Sequence, residues 1–141
     1  MATLVYTSFK RRIGDGTFDL DNPATVLKCA LLTSAHVPSA AHAVLADVSA
    51  DEVSGTGYAA GGLTLTDVTW ATVETAAALD AANPTWSNAN ITARYAVVYL
   101  AGTSNGVTNP LVCLLDFGAD KGVTAGTFAV IFDASGILTL S

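Results

Sequence analysis

Apolar and polar positions alternate along much of this chain in short runs, each closed by Gly, Pro, Asn, Asp or Ser after about ten residues. The clearest run, Thr92–Leu100 ("TARYAVVYL"), is rich in the β-branched and aromatic residues that suit a buried pleated surface. Thr25–Thr33 reads as a second strand, with Val26, Lys28, Ala30 and Leu32 on one face and Leu27, Cys29 and Leu31 on the other. It is apolar enough for a central position. Leu63–Thr69, Thr69–Ala76, Leu111–Phe117, Thr127–Phe132 and Ile137–Leu140 read as further strands. Between them, "DAANPTWSNANIT", "AGTSNGVTNP" and "GADKGVTAG" read as a loop, a connection and a turn. Helical periodicity is scarce. Tyr6–Ile13 fits one or two turns, capped by Thr7 or Ser8 and ended by "GDG" at Gly14–Gly16, and "SAAHAVLADV" fits a short helix or an ordered loop. This spacing predicts one mainly β domain over residues 1–141, a single antiparallel β-sandwich or barrel with one or two short helices.

The stretch "EVSGTGYAAGGLTLTDVTW", Glu52 to Trp70, holds four glycines within eight residues and invites comparison with a nucleotide-binding loop. A phosphate loop follows a buried strand and opens a helix, whose N-terminal N–H groups hold the anion. Here the upstream segment has no β-branched run, and the downstream segment is a period-two strand pattern. Gly57 to Gly62 has the right spacing but is followed by Leu63 and Thr64, with no lysine for a phosphate. The glycines therefore read as a turn that launches a strand, and no cofactor is expected.

Charge narrows the partners. The net charge of -6 disfavours sequence-independent nucleic-acid binding, and of six basic residues only Lys10, Arg11 and Arg12 cluster. No apolar segment reaches bilayer-spanning length, and the N-terminus lacks the order of a signal peptide, so synthesis in the cytoplasm of the producing cell is expected, with no membrane partner. Cys29 and Cys113 lie in strand-like runs and read as free buried thiols.

Residues that carry chemistry elsewhere lack their context here. "DFG" at Asp116–Gly118 matches the magnesium-binding tripeptide of kinases without any other kinase motif, and Asp116 is better placed at a strand end. His36 and His42 have no carboxylate or cysteine close in sequence and read as surface or loop residues rather than metal ligands. No serine sits in a nucleophile elbow, so a small hydrolase has the least support. Trp70 and Trp86 are either interface anchors, a carbohydrate platform or core residues. Arg94, inside the strongest strand, either reaches an exposed face or pairs with a buried acid, Glu74 or Asp116.

Several phrases in order, "DLDNPATVLKCALLTSAHVP", "DEVSGTGYAAGGLTL", "PTWSNANITARYAVVYL" and "LLDFGADKGVTAGTFAVIFDASGILTL", resemble the small virion structural proteins of tailed bacteriophages and prophages. One departure lies in "ATVETAAALDAANPTW", where an aspartate-rich strand opening is missing. The resemblance implies a non-enzymatic component of the virion, made in the host bacterial cytoplasm, with no catalytic, cofactor or metal residue. Acidity favours the outer face of a head, away from packaged DNA. The expected role is therefore a capsid decoration or cement protein that binds the major capsid protein or other virion proteins, as a homo-oligomer. A head-to-tail connector, collar or tail component is the nearest alternative, and a carbohydrate-binding module on the particle surface is the second. Interface energy concentrates in aromatic and arginine anchors, which selects Tyr6, Lys10, Arg11, Arg12, Trp70, Trp86 and Arg94 as candidate interface residues.

Overall fold

Two long strands organise the molecule. The computed structural model describes residues 1–141, and in it β6 (Thr85–Leu100) and β9 (Leu111–Ala129) run antiparallel through the middle of the larger sheet. Before them come β1 (Ala2–Val5), α1 (Thr7–Arg12), β2 (Leu27–Leu32), two single-turn 3-10 helices at Leu45–Asp47 and Ser49–Asp51, β3 (Leu63–Thr64), β4 (Thr69–Val73) and β5 (Ala76–Asp80). A small hairpin, β7 (Thr103–Ser104) and β8 (Val107–Thr108), joins the long strands, and β10 (Leu138–Leu140) follows them. The sheets are ordered β1-β9-β6-β2-β3, β10-β5-β4 and β7-β8, and every strand pair is antiparallel. The fold is mainly β and sandwich-like, as the strand spacing predicts. No helix is long and apolar enough to cross a membrane.

The centre of the larger sheet is buried on both faces. Cys29–Leu32, Tyr95–Leu100 and Leu111–Leu115 are consecutive buried runs rather than alternating ones, the pattern of strands covered on both sides. They belong to one core of 33 buried residues that also takes in Leu79, Phe132, Ile137 and Leu138 from the smaller sheet and its approach. Cys29 and Cys113 both lie opposite Val98, one on each side of β6. Two strand spacings put their Cα atoms about 9.5 Å apart, beyond disulfide reach. Both are free and buried, as their runs predict.

Several boundaries differ from the sequence pattern. β1 was not anticipated; it forms because Ala2–Val5 finds a ladder with Cys113–Asp116. The expected loop Asp80–Thr92 is strand from Thr85 onward, and the expected turn Gly118–Gly126 lies inside β9. Asp116 is accordingly within a strand, not at its end. Of the predicted Leu63–Thr69 strand, only Leu63 and Thr64 join the larger sheet, and Thr69 opens β4 of the smaller one. In α1, Tyr6 occupies the N-cap without a side-chain hydrogen bond, so neither Thr7 nor Ser8 caps it. The helix buries Phe9 against Phe18, and its basic last turn, Lys10–Arg12, complements the helix dipole.

Candidate functional site

β1 covers the outer side of β9 only from Cys113 to Asp116. From Phe117 to Ala129 that edge has no strand beside it. The register with β6 explains the shape of this stretch. Tyr95 faces Asp116 and Ala93 faces Lys121, so Phe117–Asp120 bulge out opposite Arg94 alone. Asp116 closes the base of the bulge, accepting hydrogen bonds from Arg94 Nε at 2.9 Å and from the Gly118 N–H at 2.8 Å. Those bonds hold the Asp116 carboxyl below the usual carboxylate range, Arg94 first. Arg94 thus pairs with one of the two acids that its place in an apolar strand suggested, and its guanidinium lies 5.4 Å from the Tyr95 ring centroid.

Beside the free edge runs an open groove of about 410 Å³, walled by Met1, Phe117, Val123, Phe128, Val130 and Ile131. Met1 and Ile131 are 60% and 63% exposed. Phe128 ties the groove to the interior, packing edge-on against Trp86 at 6.1 Å and against Phe117 at 6.2 Å. Lys121 is the only charged residue in the lining. An apolar groove along an unpaired strand edge offers side-chain pockets together with main-chain donors and acceptors, the elements of strand-edge recognition. The sequence pattern did carry this signal: in Thr127–Phe132, Phe128, Val130 and Phe132 are buried while Thr127, Ala129 and Ile131 are exposed. The turn-like residues of "GADKGVTAG" mask its continuation along β9.

The structure disperses the candidate interface residues. Tyr6 is fully buried and Trp86 is 3% exposed, so neither presents an anchor on the surface of the chain. Trp86 is core, packed between Tyr58 and Phe128. Lys10 and Arg11 are exposed and Arg12 is half-buried on α1, with Arg11 3.8 Å from Asp15. Trp70 is half-buried on β4, opposite Leu79. His36 lies in a loop, one of the two placements its sequence context suggested, but is buried there rather than on the surface. It is 3% exposed, and its Nδ1 lies 3.0 Å from the Asp51 carboxylate, brought there by the fold from fifteen positions away. His42 stacks 5.5 Å from it and Tyr95 packs edge-on at 5.8 Å, which makes the pair a pin for the long β2–β3 connection. No three His, Cys, Asp or Glu side chains are placed to hold a metal ion.

The glycine stretch is a clamp over the sheet. A Cβ at Gly57 would lie 2.8 Å from Ala89 Cα, and one at Gly62 would overlap the Cys29 carbonyl, while both residues have positive φ. Only glycine lets this loop lie on β2 and β6. Glu52 fills its interior: its carboxylate accepts from Tyr58 Oη at 2.5 Å and from the Gly61 N–H at 2.8 Å. Tyr58 Oη also accepts from the Leu31 N–H, and Tyr99 Oη donates to the Gly61 carbonyl. Burial raises both tyrosine hydroxyls, Tyr99 to about 12, which keeps them donors. No protein-family model, curated protein or solved structure matches the chain.

Proposed function

We propose that the protein is a non-enzymatic structural subunit of a phage particle, a decoration or cement protein that adds to the outer face of the head and holds neighbouring subunits together. The observation that carries this reading is the apolar groove along the unpaired edge of β9, a surface that is costly to leave in water and suited to a neighbouring chain. The ordered phrases that resemble small virion proteins supply the biological setting, and the net charge of -6 favours the side of a shell that faces away from DNA. Homo-oligomers and the major capsid protein are the partners this role calls for.

Particles made without the protein should assemble and package DNA yet break more readily on heating or osmotic shock. Ile131→Glu, at an exposed groove position, should leave the fold intact by circular dichroism and lower addition to purified heads by about tenfold or more. Heads that are sound but lack tails would replace this reading with a connector or tail role. Undiminished addition of the Ile131 variant would remove the groove from the account.

A further inference from the structure

A second concavity, which shares no residue with the β9 groove, lies between the turn Asp19–Thr25 and the segment Leu65–Ala71 that leads into β4. Its volume is about 540 Å³, within the range of small-molecule sites. A hollow of about 160 Å³ adjoins it, and Leu20, Asp21 and Trp70 line both. Trp70, half-buried against the core, therefore lines both parts of this trough. Both walls are fixed by the fold: Thr25 donates its N–H to Asn22 and its hydroxyl to Asp19, while Leu65 N–H bonds to Leu27 and the Thr66 carbonyl accepts from Ala82. Such a trough is formed before a ligand arrives, which lowers the ordering cost of binding.

The chemistry of the lining selects the ligand. The carboxylates of Asp21 and Asp67 enter no ion pair and no hydrogen bond within the chain. Asn22 uses its side-chain oxygen to accept from the Ala24 N–H, which leaves its amide N–H groups as donors. Thr69 adds a hydroxyl. Free acceptors, an amide donor and a hydroxyl in one lining with a tryptophan match a pyranose, whose hydroxyls bond carboxylates and whose C–H face packs on an aromatic ring. Neither hollow is lined by Lys, Arg or His, so phosphorylated, sialylated or uronic sugars would meet uncompensated negative charge. The carboxylates do not converge on a point that would hold a metal ion.

We infer that this trough is a binding site for neutral oligosaccharides, with Trp70 as the stacking platform and Asp21, Asn22 and Asp67 as the partners of sugar hydroxyls. The inference is independent of the assembly role, since the groove on β9 and the trough can be altered separately. The test is calorimetric titration of the full chain with cellohexaose, maltoheptaose and chitohexaose, with an oligogalacturonate and an oligolysine peptide as charged contrasts. Intrinsic fluorescence provides a second readout, because Trp86 is buried and a ligand-dependent change reports Trp70. At least one neutral oligosaccharide should bind saturably. Trp70→Ala should weaken it by about tenfold or more, and the isosteric Asp67→Asn should weaken it without altering the melting curve. Absence of saturable binding by all three neutral sugars, equal affinity in both variants, or binding confined to oligolysine would overturn the assignment.

Discussion

At the scale of single residues, the decisive positions are those where backbone lies against backbone. Gly57 has φ +82, and any side chain there would meet Ala89 at 2.8 Å. Gly57→Val should therefore cost about 3 kcal/mol or more, combining a forbidden dihedral for a β-branched residue with a steric clash. Urea unfolding measures it, and a variant of unchanged stability would show that the loop does not sit on β6. Composition and spacing made this residue's role legible, because glycines followed by a strand pattern have no other common use. The role of Glu52 was not legible: nothing in "DEVSGTGY" says that its carboxylate turns back to bond Tyr58 and Gly61.

At the scale of elements, β6 and β9 carry both the success and the failure of pattern reading. Their central halves, buried on two faces, announce themselves as apolar runs. Their outer halves do not, because the register shifts repeatedly between Trp86 and Tyr95, each shift inserting extra residues into one strand or the other, most of them into β9, and so breaking the alternation there. Asn88 and Ala125 sit at two of these shifts with φ of 50° each. Asparagine tolerates that region, but alanine is strained in it. Ala125→Gly should raise stability by up to about 1 kcal/mol in equilibrium unfolding, and a loss of stability would mean that the Ala125 methyl makes a contact worth more than the strain. The hairpin β7–β8 was legible and underused, since Asn105-Gly106, both at positive φ, is the favoured two-residue turn between antiparallel strands.

For the whole molecule, the core is held by groups kept neutral. Burial pushes the Cys29 thiol up to about 12 from 9.0, and burial followed by the charges of Glu52 and Cys29 pushes the Tyr99 hydroxyl up to about 12 from 10.0. Both folded values lie above the unfolded ones, so the stability these groups hold is fully present below about pH 9 and is lost as pH rises towards 12. The melting temperature should fall steeply across that window, and thiol reagents should label Cys29 and Cys113 only as it falls. A melting temperature that stays level to pH 12 would contradict the burial of Cys29. Mainly β architecture was legible from spacing alone. The groove was legible only in the alternation of Thr127–Phe132, because its other wall brings Met1 to Ile131 across almost the entire chain.

The bulge at Phe117–Asp120 and the shifts on either side of Gly126 divide the distal half of β9 into short in-register stretches, the longest of them Lys121–Val123. A long flat edge would template further copies of itself and grow into fibres while the protein accumulates in the cell. Three residues are too few for that. Main-chain pairing alone therefore cannot drive growth, and a neighbour must also offer side chains that fill the groove. On the proposed role, a partner would then be selected by the shape of its side chains as well as by its main chain.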